Sequence, residues 1–208
     1  MVDLKPKLED FIKNILPRHQ AEIEKDEKAI HAINSSEMEK VERVEIIREW
    51  LIFYKVVMFF EPSKSTGVAE KILEFADSGR SMGQALDRDA MIVEYSRLEG
   101  RIREVSLLTR SGKPRGIQSL TSKALWCCYP HDVRIFDSYA QRALYVISKL
   151  NGYKCEDDSS YKDFIEVWDQ AYAQVQSIVE SPELGQYLYK VRIFDRFLWH
   201  LGQRKFNW

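Results

Sequence analysis

The sequence predicts an all-α protein, a compact globular bundle of roughly nine or ten helices. Three observations carry this. Apolar residues recur at three- and four-residue spacing along most of the chain. Nine glycines and six prolines among 208 residues are too few for the many tight turns of a β-sandwich. Hydrophobic residues make up 45% and charged residues 30%, a balance suited to a soluble domain with a substantial core. A single domain over 1–208 accommodates this pattern. The alternative is two lobes, an N-terminal helical lobe over about 1–108 and a second over about 109–208 with a hairpin-like loop and C-terminal helices.

Leu4, Leu8, Phe11, Ile12 and Ile15 form the first helical stripe, which Pro17 ends. A charge-dense stretch from Arg18 to Asn34 reads as a second, mostly solvated helix. Ser35 and Ser36 before Glu37 provide a cap for a third helix, through Val41, Val44, Ile47, Trp50, Leu51 and Tyr54 to Phe59. Its second half is apolar on nearly every side, which predicts burial. Glu61 to Thr66 reads as a turn, with Thr66 capping a helix from Val68 to Ala76. Asp77-Ser78-Gly79 stops it, and Ala85 to Leu108 carries the next apolar pattern.

Thr109 to Gly116 is the longest loop signal in the chain. Beyond it lie an apolar helix around Leu125, a Tyr129-Pro130 break, and the run Val133 to Asp137. A helix follows from Asp137 through Ala140, Leu144, Ile147 and Leu150 to Asn151-Gly152. Phe164 to Ile178 forms another stripe, and Ser181-Pro182-Glu183 is expected to start the last helix. The pentapeptide VRIFD occurs twice, at Val133 to Asp137 and at Val191 to Asp195, with flanks that do not support a repeat.

A net charge of −1 gives no bulk attraction to nucleic acid, so such binding must come from a local patch. One exists: between Arg101 and Lys123 six basic residues stand against Glu104 alone. Cys127, Cys128 and Cys155 are too few for a disulfide framework, and the adjacent pair suits apolar helix positions in a reducing compartment. Cys127, Cys128, His131 and Asp132 lack a ligand spacing for zinc, so no metal and no cofactor is expected. The acidic and basic residues near Met1 leave no secretory run, and Trp50 to Phe60 is too short to span a bilayer. A cytoplasmic protein without a membrane partner is expected. No Walker loop, dinucleotide fingerprint or Gly-x-Ser-x-Gly elbow occurs.

The stretch best suited to chemistry is Ser119 to Leu144. Lys123 stands at the head of an apolar helix and Asp137 at the head of the next. A carboxylate there caps the helix whatever else it does, and Lys123 reads equally as a solvated residue beside a loop. The order of basic loop, helix, turn and Asp-initiated helix resembles the core of the helix-hairpin-helix DNA glycosylase superfamily. Gly116 to Lys123 stands where that family has its hairpin and lysine. Asp137-Ser138-Tyr139-Ala140-Gln141-Arg142 keeps the shared acid, a hydroxyl residue after it and an arginine five positions on. Ser119-Leu120-Thr121 replaces the glycines of the hairpin, and Tyr139 the usual histidine.

The resemblance implies a hydrolase of N-glycosyl bonds acting on a damaged or modified base, with Asp137 as catalytic acid. Lys123 would be the residue available for a Schiff base. It implies DNA as partner, held through the basic patch by Arg110, Lys113, Arg115, Ser122 and Arg142, and a base pocket lined by Trp126, Tyr129 and Tyr139. Aromatic residues at helical spacing also serve as core. The alternative is a non-enzymatic all-α adaptor or regulator with a protein partner, in a bacterial defence or stress setting, which neutral charge and the altered hairpin favour.

Overall fold

The computed structural model describes residues 3–57, 61–79, 85–105, 107–108, 116–152 and 160–203, and these are helical throughout with short connections. Ten α-helices and no β-strand occur among them. Contacts divide the chain into two units: Ala21–Pro130, and Met1–Gln20 with His131–Trp208. The lobe boundary expected near 108–109 falls against 109–115, which lie outside the described residues.

The unit Ala21–Pro130 holds most of α2 (Gln20–Asn34), α3 (Lys40–Phe53), α4 (Pro62–Asp77), α5 (Arg88–Arg103) and α6 (Gln118–Cys128). Helix α3 packs on α4, α4 on α5 and α5 on α6. Helix α2 is less solvated than its charges suggest. Asp26, Ala29, Ile30, Ala32 and Ile33 are buried, and Asp26 Oδ1 accepts hydrogen bonds from Trp50 Nε1 (3.0 Å) and Tyr54 Oη (2.7 Å) of α3 and its C-cap. Helix α3 ends at Phe53, and Ile52 and Phe53 are exposed rather than central. Glu61 to Thr66 is not a turn: Pro62 opens α4, where its missing N–H is no loss because the first helical amides have no partner anyway.

The other unit holds α1 (Lys5–Asn14), a short 3-10 turn over Leu16–His19, α7 (Ser138–Asn151), α8 (Tyr161–Ala173), α9 (Gln176–Val179) and α10 (Lys190–Gln203). Leu8 and Phe11 of α1 are buried, and Phe11 meets Phe197 of α10 with ring centroids 5.7 Å apart. Helices α7 and α10 share the most extensive helix pairing, and α7 also packs on α8. Gly152 follows α7 at φ 73°, the left-handed stop that its sequence predicts. Pro182 starts only a 3-10 turn, Pro182–Leu184, and the last helix begins at Lys190. No helix among the described residues is long and apolar enough to cross a membrane.

Candidate functional site

The site is built on the segment from Asp132 to Asp137, a strap without regular secondary structure between the Tyr129-Pro130 break and α7. Val133, Ile135 and Phe136 are buried and anchor the strap. Side chains take up the strap's polar backbone groups. Tyr161 Oη donates to the Arg134 carbonyl at 2.8 Å, and the Arg134 guanidinium folds back onto the Asp132 carbonyl. That guanidinium also bonds Asp169 of α8 at 3.1 Å and lies 4.6 Å from the centre of the Trp168 ring. Phe136 meets Phe164 edge-on, 4.9 Å between centroids. The strap is therefore braced along its length by α8.

Asp137 closes the strap in extended backbone, φ −137° and ψ 144°. Its Oδ1 accepts the N–H of Tyr139 at 2.8 Å and of Ala140 at 3.4 Å, and its carbonyl accepts Gln141 N–H at 2.8 Å. The expected cap is present. The carboxylate is half-buried and sits at the N-terminal, positive end of α7.

Tyr139 and Arg142 lie on the same end of α7. Tyr139 is exposed and turns its ring edge-on to Trp199, 5.9 Å between centroids. The Arg142 guanidinium lies 5.5 Å from the Tyr139 ring centre, and Nη1 donates to the Gly202 carbonyl at 3.4 Å. Arg142, expected to meet DNA, thus also engages one of the carbonyls that α10 leaves without an intrahelical partner at its end. Sequence reading missed Gly202. A Cβ there would lie 1.9 Å from the Tyr139 carbonyl oxygen, so α10 touches the backbone of the very turn that Asp137 caps. A glycine near a helix end ordinarily signals a stop; here it marks a close backbone approach.

Lys123 belongs to the other unit, on α6, and it is not solvated. Only 6% of it is exposed, and Nζ donates to Ser119 Oγ at 2.7 Å, one turn back on the helix. That pairing was legible as an i, i+4 spacing. Ser122 is fully buried with Oγ on the Ser119 carbonyl at 3.3 Å, so it does not present a hydroxyl to a ligand as expected of a DNA contact. Trp126 and Tyr129 are core: Trp126 is fully buried with Nε1 on the Pro130 carbonyl at 3.1 Å, and Tyr129 is nearly so. Of the three aromatic residues expected in a base pocket, only Tyr139 reaches the surface. Cys127 and Cys128 are buried as expected, and burial pushes the Cys128 thiol up to about 12, far from a reactive thiolate. Arg110, Lys113 and Arg115 lie outside the described residues.

The cap gives a first measurable expectation. Asp137→Ala should destabilise the chain by about 1 kcal/mol in urea unfolding, while Asp137→Asn, itself a good cap residue, should cost only a few tenths. Equal losses for the two variants would mean that the amides of Tyr139 and Ala140 are not held by this side chain.

Comparison with protein-family models, with curated proteins and with solved structures finds no match to the chain.

Proposed function

We propose that this chain is a DNA-binding protein of the helix-hairpin-helix glycosylase type, hydrolysing the N-glycosidic bond of an altered base with Asp137 as the acid. One observation supports this most: a half-buried carboxylate, fixed by two backbone amides at the start of α7 and carried on a braced strap. Breaking the C1′–N bond sends its electron pair to the departing base and leaves positive charge on the sugar. A fixed anion beside that sugar stabilises the charge without having to reorganise. Water adds at C1′ and loses a proton, while the base gains one. Tyr139 and Arg142, on the same turn, offer a ring for an extruded base and a cation for a phosphate.

The second reading, a non-enzymatic helical binding protein, draws support from α6. Burial of Lys123, Trp126 and Tyr129 gives that helix the character of core. The two readings diverge in solution. A glycosylase-type chain binds duplex DNA with an affinity that falls as salt rises, because phosphate contacts release counterions. It also releases base from one member of a panel of lesion-bearing duplexes, and Asp137→Asn should slow that release by roughly 10²- to 10³-fold, the range for losing one group aimed at developing charge. No DNA affinity at low salt would sink the first reading. Release undiminished in Asp137→Asn would remove Asp137 from the chemistry.

A further inference from the structure

Asp195 stands in the middle of α10 among Phe194, Phe197 and Leu198, and only 2% of it is exposed. A carboxyl placed there is unfavourable unless its lone pairs are engaged. Oδ1 accepts the indole N–H of Trp168 at 2.9 Å, and the backbone N–H of Ile135 is directed at the same carboxyl. Oδ2 is buried without a hydrogen-bond partner among the described residues. The carboxyl therefore joins three elements: α10, α8 through Trp168, and the strap through Ile135. Ile135 lies two residues before Asp137.

We propose that Asp195 is a positioning residue for Asp137, holding the strap by the Ile135 amide so that the capping carboxylate of α7 is delivered to a fixed place. The inference rests on the reading of Asp137 as the site acid. An apolar side chain, like those of Phe194, Phe197 and Leu198, would fill this place without accepting any hydrogen bond. What the position supplies is an acceptor for two donors that arrive from different elements; one residue earlier in the strap, α8 holds Arg134 by both its ends, Tyr161 donating to its carbonyl and Asp169 accepting from its guanidinium.

The coupling has a titration signature. The Asp195 carboxyl is raised to about 7 because burial outweighs the opposing pull of Arg192, the Trp168 indole, Arg134 and the Ile135 amide. Arg196, the next residue, is buried as well; from α8 the Tyr172 phenol acts on the same region, with Glu180 of the α9 end beyond it. The folded value lies above the ordinary 3.8, so the stability this group contributes is complete below that value and is lost as pH rises through about 7. The wild-type melting temperature should fall across that window, and Asp195→Asn should flatten the fall.

The deciding measurement is a pH series of nitrogen-15 spectra on the full chain without DNA. In the wild type the Trp168 indole N–H, the Ile135 amide and the Tyr139 amide should move together with a midpoint near 7. In Asp195→Asn all three steps should vanish. Trp168→Phe, which keeps the packing but removes the donor to the charged form, should raise the midpoint seen at Ile135 and Tyr139. A Tyr139 amide that ignores the Ile135 step, or no step at Ile135 in the wild type, would overturn the inference. Because the series contains no DNA, absence of base release by the wild type counts against the proposed function alone.

Discussion

Gly202→Ala should lower stability by about 3 kcal/mol or more, at or beyond the upper end of the range for over-packed positions. The new methyl would lie 1.9 Å from the Tyr139 carbonyl oxygen and 2.5 Å from its carbon. Both are backbone atoms in the first turn of α7, so no rotamer change can relieve the clash. Either α10 withdraws or the turn moves. The turn is poorly placed to move, since Tyr139 N–H is the donor that holds Asp137. For a chain of this length the loss corresponds to a fall in melting temperature of roughly 6–12 °C. Gly100→Ala is the matched control. It lies inside α5 with open space around its Cβ direction, and should stabilise by about 0.4–1 kcal/mol. A Gly202→Ala chain as stable as the wild type would mean that α10 does not approach α7 this closely. If it folds, the Tyr139 and Ala140 amide resonances should shift, because the contact and the cap share one peptide group.

The sequence carried the helical class and the α7 boundaries because both are local. Apolar spacing marks the stripes, Asp137 is a cap residue and Gly152 a left-handed stop. Burial of Lys123 was not legible, since α6 is buried on every side from Leu120 to Cys128, polar Thr121 and Ser122 included. Local pattern cannot report that. The two copies of VRIFD make the point sharply. At 133–137 the pentapeptide is a strap without regular secondary structure, while at 191–195 it lies within α10. The first copy follows the Tyr129-Pro130 break and ends on a cap, whereas the second continues into Arg196 and Phe197 with nothing to stop the helix. Even the aspartates part company. Asp137 is half-buried and bonds its own helix, and Asp195 is buried and bonds another helix and the strap. Identity of sequence at this length fixes neither conformation nor role.

Arg43→Ala should be the second severe substitution, at about 3 kcal/mol, and its size distinguishes two explanations of the same side chain. Arg43 is 8% exposed. Its Nε donates to the Ala32 carbonyl at 2.8 Å, and Nη2 donates to the Ile33 carbonyl at 2.7 Å and to Asp77 Oδ1 at 2.8 Å. The Asp77 side chain is about half exposed, so the ion pair alone is worth no more than about 1 kcal/mol. The two carbonyls belong to the last turn of α2, where residues Ala32 and Ile33 are buried and intrahelical donors have run out. Leaving each without a donor costs roughly 1–3 kcal/mol. Asp77→Ala should therefore have a small effect, and Arg43→Ala should cost nearly the same whether or not Asp77 is present. Arg43→Lys should recover little, because an ammonium cannot present the planar fork that reaches both carbonyls. Urea unfolding of the four chains closes the comparison. A coupling between Arg43 and Asp77 as large as the Arg43→Ala loss itself would make the residue an ion-pair partner rather than a helix cap. The cap has reach beyond α2, since the next residue, Asn34, donates to the carbonyls of Ile30 (2.7 Å) and Cys127 (3.2 Å) and so joins the end of α2 to the end of α6. Loss of Arg43 should accordingly loosen the C-terminal turn of α6, read as faster amide exchange at Cys128 and Tyr129, while leaving the amides of α7 and α10 unchanged.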